Sequence, residues 1–464
     1  MTPPDASAGT RVPAPDLVIR HAGELVTCSA PAGAAGVSGP PSAGAPAAGQ
    51  PREPAPAGTH GTGALGIIPD GALAATGGRI VWLGADADLE AAVAVGPITR
   101  VVDAGGRVVM PGLVECHTHV VFGGDRAAEF QMRVVGTSYQ EIAAAGGGIM
   151  STVRETRAAS REELFERGRR HLGWLLGYGV TTVEVKSGYG LSLHDELRIL
   201  EVYRDLAEVV PQTLVPTLLG AHTVPVEYRA GSGGGPEAYV DLVVKRMIPE
   251  AAARGLARFC DVFVEEGAFT LAQARRVLEA GLEHGLRPKL HVDQLSAGGG
   301  AELAAELGAV SADHLDHVSD QGIAALAAAG VTAVLLPGAV FFLGLHEYAP
   351  ARRLLEAGVR VALSTDFNPG TCYTENVFLM GTIASAHMKM TAAEVLLALT
   401  INAAHAVGLA EDVGSLEVGK RADILILSTT NHLTIPYHWG VNPVATVVKD
   451  GVVVIEGDDA ARQG

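Results

Sequence analysis

Cysteine is scarce and scattered. Cys28, Cys116, Cys260 and Cys372 are the four in 464 residues, and no two form a CxxC pair. That excludes a disulfide scaffold and fits reduced thiols in a cytoplasmic protein. Positive charge is also thin: 34 Lys and Arg against 51 Asp and Glu leave a net charge of −17. A nucleic-acid binder needs a basic stripe, and an anionic membrane surface repels such a chain. No uninterrupted apolar run approaches the roughly 18 residues of a membrane span. The opening MTPPDASAGTRVPAP lacks the basic-then-apolar order of a secretory signal. No GxxxxGK[ST] phosphate loop is present, and the clusters Gly146-Gly147-Gly148 and Gly298-Gly299-Gly300 lack the strand–GxGxxG–helix setting, so both read as flexible loops. The expectation is a soluble, acidic, intracellular globular protein, with neither nucleic acid nor membrane as partner.

Apolar residues make up 48% of the chain, enough for a large core. Residues 1–15 are rich in Pro and Ala and are expected to fray. Residues 29–64 are almost wholly Ala, Gly, Pro and Ser and read as a disordered insertion, having little to bury. Around it, LVIRHAGELVTCS, GALAATGGRIVWLG and ITRVVDAGGRVVMPG alternate short apolar runs with Gly turns, a sign of antiparallel strands. ADILILS and ATVVKDGVVVIEG repeat the pattern near the other end. Residues 16–111 and 409–464 together predict one small β-sandwich-like domain.

Between them, residues 112–408 change rhythm. Eight apolar runs (112–119, 179–187, 212–222, 259–267, 287–293, 309–315, 330–337 and 358–366) alternate with amphipathic helical stretches, many ending in Gly. Eight strands with helical crossovers predict an α/β fold of the (β/α)8, or TIM barrel, type, with an open doubly wound sheet as the alternative.

Barrel enzymes carry their chemistry at the C-terminal ends of the strands. His117 and His119, two apart on a strand, face the same side. His291 (KLHVDQL), His314 (SADHL) and Asp366 (LSTDFNPG) end three further strands. Imidazole and carboxylate suit divalent zinc or iron. The expected ligands are His117, His119, His291 and Asp366, with His314 beside them. A metal lowers the pKa of water towards ~7. Asp366 and His314 are then the catalytic pair: Asp366 moves protons and His314 orients the nucleophile in hydrolysis of a C–N bond. Cys116 is expected to point away from its histidine neighbours, and Trp174 to pack.

PGLVECHTH, TVEVKSGYG, LLGAHTVP, KLHVDQLS, SADHLDH, LSTDFNPG and the late IPYHWGVNPV together resemble the amidohydrolase superfamily, and more narrowly the imidazolonepropionase family. The resemblance implies a barrel with a small β domain, one zinc or iron ion and a homodimer. It implies opening of the lactam of 4-imidazolone-5-propanoate to N-formimidoyl-L-glutamate. It assigns substrate contacts to Arg126, Tyr189, His222, Gln294, Asn368, Gly370 and Thr371. Two-metal relatives carry a bridging lysine on the fourth strand; FCDVFVEEG has none, and Lys186 ends the second, so one metal is expected. Glu265 and Glu266 are expected to be solvated or supporting groups. The alternatives are another cyclic amidohydrolase of the superfamily or a related deaminase acting on an aminoazole or purine, the deaminase being expected to keep Glu where Gln294 stands.

Overall fold

The computed structural model describes residues 11–29, 65–137, 141–142, 146–229 and 234–457. The expected insertion, apart from Ser29, lies outside them, as do residues 1–10 of the expected frayed end. Residues 11–15, also expected to fray, are held. Val12 N donates to Ala92 O at 2.8 Å, Ala94 N donates to Val12 O at 2.9 Å, and Thr99 Oγ1 donates to Pro15 O at 2.7 Å. Composition does not reveal such bonds, because the partners come from a segment far along the chain.

Five strands precede the barrel: β1 (Leu17–Val26), β2 (Ile67–Thr76), β3 (Arg79–Ala85), β4 (Arg100–Asp103) and β5 (Val108–Pro111). The barrel strands are β6 (Leu113–Glu115), β7 (Val180–Lys186), β8 (Thr213–Ala221), β9 (Phe259–Val264), β10 (Arg287–Val292), β11 (Ser311–His314), β12 (Thr332–Leu335) and β13 (Val361–Leu363). The tail adds β14 (Ile424–Leu427), β15 (Val444–Lys449) and β16 (Val452–Glu456).

Both ends of the chain build one sheet, in the order β16-β15-β14-β5-β1-β2-β3, with β4 also paired to β1. Its tight hairpins follow from local sequence. Gly77-Gly78 and Asp450-Gly451 all have positive φ, the conformation a two-residue hairpin loop demands. β1 runs parallel to β4 and β5, a pairing no hairpin signal foretells. Leu17, Ile19, Leu25, Leu73, Ile424 and Val448 form its core.

All eight expected barrel strands are present, parallel and in sequential order. The seam joins first to last: Thr118 bridges Phe367, and His119 N donates to Phe367 O at 2.9 Å. Buried on both faces, strands such as β12 (TAVL) and β13 (VAL) read as short apolar runs, whereas β7 (VTTVEVK) buries Glu184 and Lys186 as well. Helices begin where the sequence supplies caps. Ser160 with Glu163, Thr270 with Gln273 and Thr391 with Glu394 each make a reciprocal capping box. Trp174, expected to pack, is 49% exposed, although its ring meets His171 edge to face at 5.3 Å. Among the described residues no helix is long and apolar enough to cross a membrane.

Candidate metal centre and active site

Beyond Glu115, the chain keeps its alternation. Cys116 turns outward into a cluster with Ala403 and Ala404, while His117 and His119 turn inward. The donor atoms of His117, His119 and His291 all lie within 4.8 Å of one another, and all three residues are buried. Asp366 Oδ1 lies 3.5 Å from His117 Nε2 and 3.8 Å from His119 Nε2. The three expected histidine ligands, from the first and fifth barrel strands, thus gather together, and Asp366, following the eighth, lies against His117 and His119.

The far side of each imidazole is fixed. His117 Nδ1 donates to Asp313 Oδ2 at 2.6 Å, His291 Nδ1 to Asp261 Oδ1 at 3.1 Å, and His119 Nδ1 to the Ser187 carbonyl at 3.4 Å. A carboxylate or carbonyl only accepts, so Nδ1 carries the proton and Nε2 offers a lone pair to the common point. The Nε2 atoms of His117 and His291 are buried with no hydrogen-bond partner among the described residues. Two aligned, orphaned lone pairs beside a carboxylate fit a cation. Burial holds His117 and His119 well below the usual histidine range, which is the neutral, ligating form. Burial also pushes the Asp366 carboxyl up to about 7, against the pull of His291.

His314 lies beside this cluster, its ring 5.6 Å from that of His117 and 5.5 Å from that of His291. Neighbours on a strand ordinarily face opposite ways, yet both Asp313 and His314 reach the site. His314 and Leu315 have φ of 79° and 66°, so the backbone leaves the strand conformation there. Asp293 and Asp366 end their strands the same way, at φ of 52° and 54°. Four of the ten non-glycine residues with positive φ among the described residues sit at these strand ends.

His222 stacks on His119 at 5.2 Å, with Tyr189 5.4 Å from His222 and 5.5 Å from His119. His222 Nδ1 donates to Gly188 O at 3.0 Å, and burial drives it down to about 3. The buried Glu196 carboxylate grips the SGYG loop, accepting from the backbone N–H of Gly188, Gly190 and Leu191 at 2.7–3.0 Å. After β13, Asn368 Oδ1 accepts from Gly370 N and Thr371 N, both at 2.8 Å, and its amide donates to Asp366 O and Thr371 Oγ1, both at 2.7 Å. Its polar atoms are spent on building the loop that carries Asp366. Thr371 Oγ1 donates to Asp366 Oδ2 at 3.3 Å.

Arg126 covers Gly370 so closely that a Cβ there would fall on its guanidinium. Its Nε donates to Glu129 at 2.8 Å. A second guanidinium, that of Arg133, donates to Gly370 O at 3.3 Å. Gln294 lines a cavity of about 250 Å³ with Asp316, His317 and His346. Glu265, only 8% exposed, accepts from Leu295 N at 2.8 Å and from the Ser296 hydroxyl, so it braces the loop holding Gln294.

Sequence reasoning missed the groups beneath the ligands. Asp261 and Asp313 orient His291 and His117. Lys186, Glu184 and Lys289 fill the barrel interior below with no exposure. Charged residues inside otherwise apolar strand runs (VEVK, FCDVF, PKLHV, SADH) were the available signal.

The sequence pattern described as Amidohydrolase family matches residues 108–454. The chain belongs to that family. It is 53% identical over 398 residues to an imidazolonepropionase of Symbiobacterium thermophilum, covering 86% of this chain and 93% of that one. With an imidazolonepropionase of Geobacillus kaustophilus it shares 51% over 392 residues, 84% of this chain and 91% of that one. Within the amidohydrolases it belongs with the imidazolonepropionases. Solved structures show the same fold at low identity. An adenosine deaminase of Xanthomonas campestris with bound zinc superposes with a TM-score of 0.66 at 19% identity, covering 97% of each chain. A 5-methylcytosine deaminase of Klebsiella pneumoniae gives 0.66 at 18%, covering 84% of this chain and 94% of that one.

Proposed function

We propose that the chain hydrolyses 4-imidazolone-5-propanoate to N-formimidoyl-L-glutamate, a step of histidine degradation. The similarity to imidazolonepropionases along most of the chain carries the reading, and the geometry supports it. One zinc or iron ion on His117, His119, His291 and Asp366 supplies, when bound, a Lewis acid and a nucleophile at neutral pH. Asp366 takes the proton of the attacking water and passes it to the ring nitrogen as the C–N bond breaks. Asp366, buried beside His117 and His119, is placed to serve both halves of that transfer. His314, with a buried Nδ1 lacking a partner among the described residues, orients the water. Tyr189, His222 and Gln294 line the ring. Arg126, over the bare face of Gly370, receives the propionate, and Asn368 and Thr371 hold that loop in place.

The same reading includes a cytoplasmic homodimer; the highly exposed Tyr437 and Trp439 support the pairing.

The test is incubation of metal-replete protein with freshly made imidazolone propionate, following loss of its ultraviolet absorbance and any ammonia. Absorbance should fall without ammonia, and Asp366→Asn should lose roughly 10²–10⁴ of the rate. Inert substrate, or ammonia release from an aminoazole or purine instead, would overturn the assignment.

A further inference from the structure

We propose that Lys186 is a positioning residue for the metal site, its single ammonium setting two ligand histidines at once. Lys186 Nζ lies 2.7 Å from Asp261 Oδ2 and 3.5 Å from Asp313 Oδ2. Asp261 holds His291, and Asp313 holds His117. The three side chains come from β7, β9 and β11, the alternate strands that fill one layer of a barrel. His117 and His291 come from the strands between or beside them. The ammonium therefore bridges the two carboxylates that hold His291 and His117.

A lysine that served only to neutralise one carboxylate would need one partner. Lys186 has three, the third being Glu184 Oε1 at 3.0 Å. Glu184 is itself tied to Lys289 at 2.5 Å and to the Thr217 hydroxyl at 2.5 Å. Lys186, Glu184, Lys289, Asp261 and Asp313 are all fully buried, so each is held where its partners put it and none can turn to water. Two formal positive charges, Lys186 and Lys289, stand against three negative ones, Glu184, Asp261 and Asp313. The surplus is negative, against the Nδ1 sides of His117 and His291. Removing Lys186 takes the shared counter-charge from both orienting carboxylates, although the Ser311 hydroxyl still donates to Asp313 Oδ1 at 2.5 Å, so the hold on His291 through Asp261 weakens most and that on His117 less.

The inference rests on the metal reading above, and the experiment separates the two. Zinc affinity is measured by competition with a chromophoric chelator for wild type, Lys186→Met and Lys186→Arg, with circular dichroism and melting of each metal-free protein alongside. Cobalt-loaded forms report coordination through their visible spectra. Lys186→Met should bind zinc about 10–100-fold more weakly and shift the cobalt bands, and Lys186→Arg should restore most of the affinity. Folded Lys186→Met with wild-type affinity would overturn the proposal. Should Lys186→Met not fold, the charge-matched pair Lys186→Met/Asp313→Asn is compared with Asp313→Asn alone. The pair should bind at least about tenfold more weakly, because control of His291 through Asp261 is lost as well; equal affinity would overturn the proposal. Wild-type protein that takes up no zinc or iron would sink the metal reading instead.

Discussion

Asp313 and His117 meet at 2.6 Å across the barrel interior, from its sixth and first strands, and neither side chain is exposed at all. This contact decides which nitrogen of His117 faces the other ligands. Asp313→Asn keeps an acceptor but removes the charge. Metal affinity should fall about 10–100-fold, read by chelator competition. A variant with wild-type affinity would mean that His117 is held by something else.

Gly370 is the bare surface on which Arg126 lies. Gly370→Ala must push the guanidinium away without touching any metal ligand. KM should rise by about tenfold or more, the value of one charge-assisted hydrogen bond of roughly 1.5–3 kcal/mol, with kcat changing less. Steady-state kinetics beside Arg126→Ala checks it: the two variants should look alike. An unchanged KM in either removes Arg126 from the carboxylate.

Glu196 accepts three backbone N–H groups of the loop that presents Tyr189. Glu196→Ala leaves all three buried and unpaired, at a cost of at least roughly 3 kcal/mol. The urea midpoint should drop at constant slope, and KM should rise as Tyr189 loosens. Equal stability would show that the loop holds itself.

The cysteines are closed to solvent, at 0–2% exposure. Burial pushes the Cys28 thiol up to about 12 and raises the other three as well. The thiolate is the reactive form, so at pH 8 almost none is present in the native state. A chromogenic disulfide reagent should leave the native protein untouched over the minutes in which urea-unfolded protein loses all four thiols. Rapid reaction of one native thiol would place that cysteine at an opening.

Much of this protein is fixed by local sequence. Barrel strands announce themselves as apolar runs because both their faces are covered. The pairing of His117 with His119 follows from strand alternation alone, and Asp366, His291 and His314 stand out as polar residues closing apolar runs. Hairpins at Gly77-Gly78 and Asp450-Gly451 are equally local. Three things depended on the closed barrel. Asp313 and His314 face one site because the backbone turns to positive φ, a choice made by the strand ends around them. Arg126 meets Gly370 only after the first and last strands join at Thr118 and Phe367. Lys186 closes the second strand in a run that could as well end in water. Its partners sit on β9 and β11, so only the folded cylinder turns it from a strand-end charge into the support beneath the ligands.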